Sequence, residues 1–144
     1  MLQKVGRKPI GVIEGEQLFK PAGLTHTVVT AGPPSPALHA YTNERGVYEE
    51  STYWTGSWIP GVVDVTSTAG DMGKWAKALA TGTLVSKRSY ARQFAPTTAG
   101  LGPLTKRFYY TFGSAVSRGW VINNPQVLGY RRSSRTTAGA TSRW

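Results

Sequence analysis

Gln17-Leu-Phe-Lys-Pro-Ala-Gly-Leu-Thr-His-Thr27 is the stretch on which the fold turns. It closes an amphipathic helix over residues 9–20, where Ile10, Ile13, Gln17/Leu18 and Phe19 approximate one apolar stripe. Pro9 suits the first helical turn, where a missing N–H costs nothing. Pro21 is expected to end the helix, because the residue before a proline is pushed out of the α region, and Gly23 then turns the chain.

Downstream, residues 28–61 read as loop-rich. Ala31-Gly-Pro-Pro-Ser-Pro36 has too few donors and too much backbone freedom for regular structure, and Asn43-Glu-Arg-Gly46 reads as a turn. Tyr48, Tyr53, Trp54 and Trp58 crowd this irregular stretch, so they either pack over a core or line a cleft. A helix is expected over 67–81, capped by Ser67 or Thr68, with Asp71 reaching back from the first turn. Met72, Trp75, Ala76 and Leu79 form its apolar face, Lys74 and Lys77 its wet side, and Gly82 its stop. A second helix over 86–95 begins at a Ser86 cap and buries Tyr90 and Phe94. After a Gly/Pro loop, residues 108–117 read as one aromatic-rich strand. Arg118-Gly119 then turns the chain into a short strand at Trp120-Val-Ile122.

Past Tyr130 the pattern breaks. Residues 131–144 hold Arg131, Arg132, Arg135 and Arg143 among small polar residues and no acid, and are expected to be a disordered basic tail. The expected division is therefore residues 1–130 as the folded part and 131–144 as the tail, with a reading-frame change near residue 130 as one explanation. A tail that folds into sheet would argue against that explanation.

Bulk composition narrows the chemistry. The chain has 144 residues, 40% of them hydrophobic, which suits one globular body with a modest core. No cysteine is present, which excludes disulfides, thiolate metal sites and a thiol nucleophile. His26 and His39 have no helix-spaced ligand partner, so neither a metal nor a cofactor is expected. Net charge is +10, from 17 Lys+Arg against 7 Asp+Glu, and is read as a solvated surface plus the basic tail. No signal peptide or membrane-length apolar run is visible, so the default compartment is cytoplasmic.

The order of these motifs resembles the serine β-lactamase-like hydrolases, the family of class C β-lactamases, D-Ala-D-Ala carboxypeptidases and related esterases. Residues 17–27 are similar to that family's segment downstream of its catalytic serine. Val65–Trp75, Leu84-Val-Ser86, Phe94–Thr98 and Tyr109-Tyr-Thr-Phe-Gly113 resemble successive later segments, and Gly129-Tyr130 resembles the pair after the third active-site motif. The resemblance spans roughly residues 5–130 and implies an α+β fold: part of the β-lactamase/DD-peptidase architecture, with a helical region and a hairpin of its antiparallel sheet. It also implies that the nucleophile lies in a segment upstream of this one.

The family's chemistry needs a serine with a lysine one helical turn on, in S-x-x-K, so that the amine can take the hydroxyl proton. No serine in this chain has lysine three positions later, so no catalytic residue is assigned. Tyr41-Thr-Asn43 matches the second motif, Y-x-N, but follows the segment it should precede; it reads as a loop tyrosine beside a turn asparagine. Where the family has K-T-G or H-x-G, the chain has Asn123-Asn124-Pro125. An asparagine can donate to a ligand but carries no charge, and Pro125 removes a backbone donor from the oxyanion side. The substrate-cleft candidates are therefore Trp54, Trp58, Asn123 and Asn124, with core packing as the plainer role of the two tryptophans.

Two functions follow as expectations. One is a fragment of a serine hydrolase whose complete relatives act on small-molecule or peptide substrates, inactive alone, and completed by another chain or self-associated through unpaired strands. The other is a non-catalytic basic binding module. Nucleic acid is disfavoured as its partner, since Tyr48–Trp58 carries Glu49 and Glu50 and no base.

Overall fold

A computed structural model of the chain describes residues 1–54, 65–123, 126–127, 129–131 and 134–137. The backbone divides into two units, Met1–Met72 with Pro125–Arg131, and Gly73–Asn124 with Arg132–Trp144.

The first unit opens with α1 (Leu2–Gly6) and α2 (Ile10–Glu14). A π-helical turn, Gly15–Phe19, follows and passes into α3 (Lys20–Ala22). Pro21 therefore does not end the helix, contrary to the sequence expectation. The amide of Lys20 bonds to the carbonyl of Gly15, five residues back, so the turn is widened just before the proline. That opening eases the clash between a proline ring and the carbonyl four residues back. The stop comes two residues later, at Gly23 with φ 69°. There the Gly23 amide bonds to Lys20 O at 3.1 Å and the Leu24 amide to Phe19 O at 2.8 Å, the paired closure of a Schellman cap.

Strand β1 (Val28–Val29) pairs antiparallel with β4 (Val65–Thr66), while β2 (Tyr41–Thr42) and β3 (Glu49–Glu50) form a hairpin around the expected turn at Asn43–Gly46. Among the described residues of this unit, Ile13, Leu24 and Ala40 are the buried apolar ones. Helix α4 (Ala69–Thr81) comes next, with Thr68 Oγ1 accepting from the Asp71 amide at 3.2 Å; the boundary between the units falls inside it.

In the second unit, Ala76, Ala78 and Ala80 of α4 are buried, and Lys74 and Lys77 are exposed as expected. Helix α5 (Lys87–Gln93) starts at Ser86, whose hydroxyl accepts from the Ser89 amide at 3.1 Å. Tyr90 and Phe94 are half-buried, with rings 4.9 Å apart. The expected single strand over 108–117 is a hairpin instead. Strands β5 (Phe108–Tyr110) and β6 (Ala115–Ser117) flank a tight turn in which Gly113 has φ 88° and the Thr111 amide bonds to Ser114 O at 2.8 Å. A positive φ is readily adopted by glycine and breaks a continuous strand. Strand β7 (Trp120–Asn123) follows the two-residue turn Arg118-Gly119.

The chain then returns to the first unit for the small hairpin of β8 (Gln126–Val127) and β9 (Tyr130–Arg131). It ends its described course in the second unit with β10 (Ser134–Thr137), which pairs antiparallel with β7 from Ser134↔Asn123 to Thr137↔Trp120. The resulting sheet has the order β10-β7-β6-β5. Strand β10 overturns the expectation of a disordered tail at these four residues, and the reading-frame explanation loses its support there. The physical reason is that neighbouring strand edges, not apolar periodicity, organise the segment: ladder hydrogen bonds are open to Ser, Thr and Arg alike. Among the described residues no helix is long and apolar enough to cross a membrane.

Candidate functional site

In the second unit the sheet register sorts side chains into two faces. Tyr109, Val116, Val121 and Thr136 lie in one row across the four strands. Val116, Val121 and Thr136 are buried, and the Tyr109 hydroxyl donates to Phe94 O at 3.2 Å, beside the end of α5. The alternate positions, Phe108, Tyr110, Trp120 and Ile122, lie on the opposite face. A recess of about 500 Å³ opens on it, lined by Ser117, Arg118, Trp120 and Ile122.

Asn123 closes the same strand, β7, where the resemblance put the third active-site motif. Its amide Nδ2 donates to Gly113 O at 3.3 Å, so it ties the end of β7 to the β5–β6 turn. Trp54 belongs to the first unit and is half-buried. The Arg45 guanidinium sits 4.7 Å from its ring centroid, and the same arginine pairs with Glu49 through Nε at 2.7 Å and through Nη2. This pairing holds the Glu49 carboxyl below the usual range. Trp58 and Asn124 lie outside the described residues.

The Thr25-His-Thr27 turn is tied down by a buried carboxylate. Asp71, 1% exposed, accepts through Oδ2 from the His26 amide at 2.7 Å and from Thr27 Oγ1 at 2.9 Å. Thr27 Oγ1 also lies 2.8 Å from Ser67 Oγ. The His26 ring is exposed, and its Nδ1 lies 3.0 Å from the hydroxyl of its neighbour Thr25. The backbone of this motif carries the bonds, in keeping with a structural turn. The sequence reading missed this use of Asp71. Its signal was a lone acid on the first turn of a helix otherwise rich in alanine and lysine.

A second polar cluster lies under the β2–β3 hairpin. Thr52 Oγ1 accepts from the Ala40 amide at 2.9 Å and donates to Glu50 Oε1 at 2.9 Å, while His39 Nδ1 is 2.5 Å from the same oxygen. The Thr52 hydroxyl first, and His39 second, lower the Glu50 pKa. The Tyr130 hydroxyl donates to Leu38 O at 2.9 Å, and burial raises its pKa. Gly129, at φ 80°, packs so that any Cβ would collide with the Tyr41 carbonyl. The Gly129-Tyr130 pair therefore latches β9 onto the hairpin. Tyr41 itself stacks on Tyr48 at 5.6 Å, and Asn43 O accepts from the Gly46 amide at 2.9 Å, so the literal Y-x-N triplet serves hairpin structure. Among the described residues no group of three His, Cys, Asp or Glu is placed to hold a metal.

Comparison with known proteins agrees with this architecture. A D-stereospecific amidohydrolase from Streptomyces sp. superposes with a TM-score of 0.79 at 19% identity, over 94% of this chain and 42% of its own. A penicillin-binding protein from Bacillus halodurans superposes with a TM-score of 0.69 at 16% identity, over 94% of this chain and 43% of its own. At such identities the likeness is one of fold, and the chain spans less than half the length of either protein. Among curated proteins no sequence matches it. The family model described as Beta-lactamase matches residues 1–141, and the chain accordingly belongs to the β-lactamase family.

Proposed function

We propose that this chain is one portion of a serine hydrolase that cleaves amide or ester bonds through an acyl-serine, and that it has no turnover by itself. One observation carries the reading: none of its serines has the lysine three positions on that would take the hydroxyl proton. The β7 strand supports it, since the family's third motif maps to Asn123 at its end, a position for lining a substrate cleft and not for proton transfer. The rest of the machinery, on this reading, comes from further polypeptide, joined to this chain or separate. Substrates of the whole would be small-molecule amides or esters, or peptides; the Streptomyces neighbour is itself named as a D-stereospecific amidohydrolase.

The experiment is direct. The purified chain is mixed with nitrocefin, short p-nitrophenyl esters and a fluorescent penicillin, beside a boiled control. No turnover and no covalent label are expected. Hydrolysis above the control, or a labelled band, overturns the proposal.

A second reading, a non-catalytic binding module, is favoured by the placement of charge. All 7 acids lie between Glu14 and Asp71, whereas 12 of the 17 Lys+Arg lie beyond Asp71. Salt-dependent binding of an anionic polymer by the intact chain would favour this reading over the first.

A further inference from the structure

The outer face of the β2–β3 hairpin holds an aromatic pair beside a carboxylate–imidazole pair. Tyr41 lies opposite Glu50 in the register, so their side chains share that face. The Tyr48 ring stacks on Tyr41, with centroids 5.6 Å apart and planes 4° from parallel. Aromatic pairs belong mostly to cores and interfaces, yet Tyr41 is 46% exposed and Tyr48 79%. One face of Tyr48 therefore rests on Tyr41 and the other is bare to water. Beside them, Glu50 Oε1 accepts from Thr52 Oγ1 at 2.9 Å and lies 2.5 Å from His39 Nδ1. Thr52 is buried and is itself fixed by the Ala40 amide, so the carboxylate is oriented from beneath.

Among the described residues, the Tyr41 and Tyr48 hydroxyls, Glu50 Oε2 and His39 Nε2 have no hydrogen-bond partner within the chain. A ring held flat by a second ring, with two hydroxyls, a carboxylate oxygen and an imidazole nitrogen on the same face, suits a pyranose. The axial C–H groups of such a sugar form an apolar face that packs on an aromatic ring, and its equatorial hydroxyls reach out to the donors and acceptors around it. Tyrosine loses little conformational freedom in such a contact, and the existing stack has already fixed the ring. Charge rejects the other candidates. Residues 39–54 hold three acids, Glu44, Glu49 and Glu50, against one base, Arg45, which is paired with Glu49. An anionic polymer is therefore repelled. An ammonium group would compete with His39 for Glu50, and an aromatic cage needs rings on several sides.

We propose that the Tyr41–Tyr48 pair, with Glu50 and His39, is a binding site for a neutral β-linked saccharide of equatorially substituted pyranoses. The bare face of Tyr48 takes one sugar ring. Glu50 Oε2 accepts from its hydroxyls, and His39 stands beside it as a second hydrogen-bonding group. The site goes beyond the hydrolase reading: it holds a glycan on the first unit whether or not further polypeptide completes the catalytic machinery.

The test is an amide NMR titration of the whole isotope-labelled chain with cellotetraose, chitotetraose and trilysine. At least one of the two saccharides should shift amides within residues 39–50 and saturate with a Kd of about 0.1–5 mM. Tyr48→Ala should weaken binding about tenfold, while Tyr48→Phe, which keeps the ring, should weaken it no more than about threefold. Glu50→Gln should weaken it about threefold. Because Tyr48 is exposed, spectra of its variants should match the parent outside the hairpin. Shifts absent with both saccharides at about 20 mM, or confined to residues outside 39–50, overturn the proposal. So does an affinity indifferent to both Tyr48→Ala and Glu50→Gln. Trilysine shifting the same amides at a lower concentration than either saccharide would make the face a cation site, and overturns it too. The hydrolysis assay reads a different property of the chain, so the two readings fail separately.

Discussion

Asp71 shows how one residue organises a segment far from it in sequence. Its buried carboxylate receives a backbone amide and a hydroxyl from a turn 44–45 residues earlier. Truncation leaves both donors without this partner inside the protein, and a buried donor left unmatched costs the full desolvation of that group. Asp71→Ala should therefore lower stability by about 3 kcal/mol, measured by urea unfolding, since two charge-assisted bonds are lost together. A loss under about 1 kcal/mol would show that water replaces the carboxylate. Legibility at this scale was uneven. The caps at Ser86 and Thr68 were readable because capping is local and chemically narrow. The long-range partner of Asp71 was not, because nothing in the spacing of residues 26, 27 and 71 encodes their proximity.

At the scale of elements, local rules held until tertiary context outweighed them. The helix at 69–81 and the start of the helix at 87–93 follow from period and cap. The helix through Pro21 does not, because a proline rule assumes regular α geometry and the π turn departs from it. The stretch 108–117 hid a hairpin because its aromatics favour strand on either side of Gly113. Strand β10 was hidden for the converse reason: its polar residues acquire strand geometry only beside β7. The turn between β6 and β7 offers a test. Arg118 has φ 49° and Gly119 φ 83°, the two positive values of a type I′ hairpin turn. Arginine is strained there and asparagine is not, so Arg118→Asn should raise stability by about 0.5–1 kcal/mol in thermal unfolding. An unchanged or lower midpoint would mean that the arginine side chain repays its backbone strain through contacts with the neighbouring strands.

Across the whole molecule, charge is divided along the chain. Twelve bases and no acid follow Asp71, and the chain as a whole carries +10, so the folded state is under net positive self-repulsion. Added salt screens that repulsion. Moving from about 0.02 M to about 0.5 M NaCl should raise Tm by about 3 °C, read by scanning calorimetry. A fall in Tm would show that the ion pairs at Arg45–Glu49 and Lys8–Glu16 matter more than the net repulsion. This division was present in the composition, but net charge alone conceals it. What made it informative was the fold, which sets Arg118 beside Trp120 and Ile122 at the recess on the sheet.

The latch at Tyr130 carries a consequence for the order in which the protein is made. Its hydroxyl bonds to Leu38, 92 residues earlier, and Gly129 seats against the Tyr41 carbonyl. A ribosome releases Leu38 and the β2–β3 hairpin long before it synthesises their partner. The hairpin of the first unit is thus closed only after all the chain between Leu38 and Tyr130 has been translated. Contacts that join such distant residues slow folding, because the intervening loop must be closed before any gain is returned. A nascent chain stalled just short of residue 129 would hold a hairpin with its seat still empty.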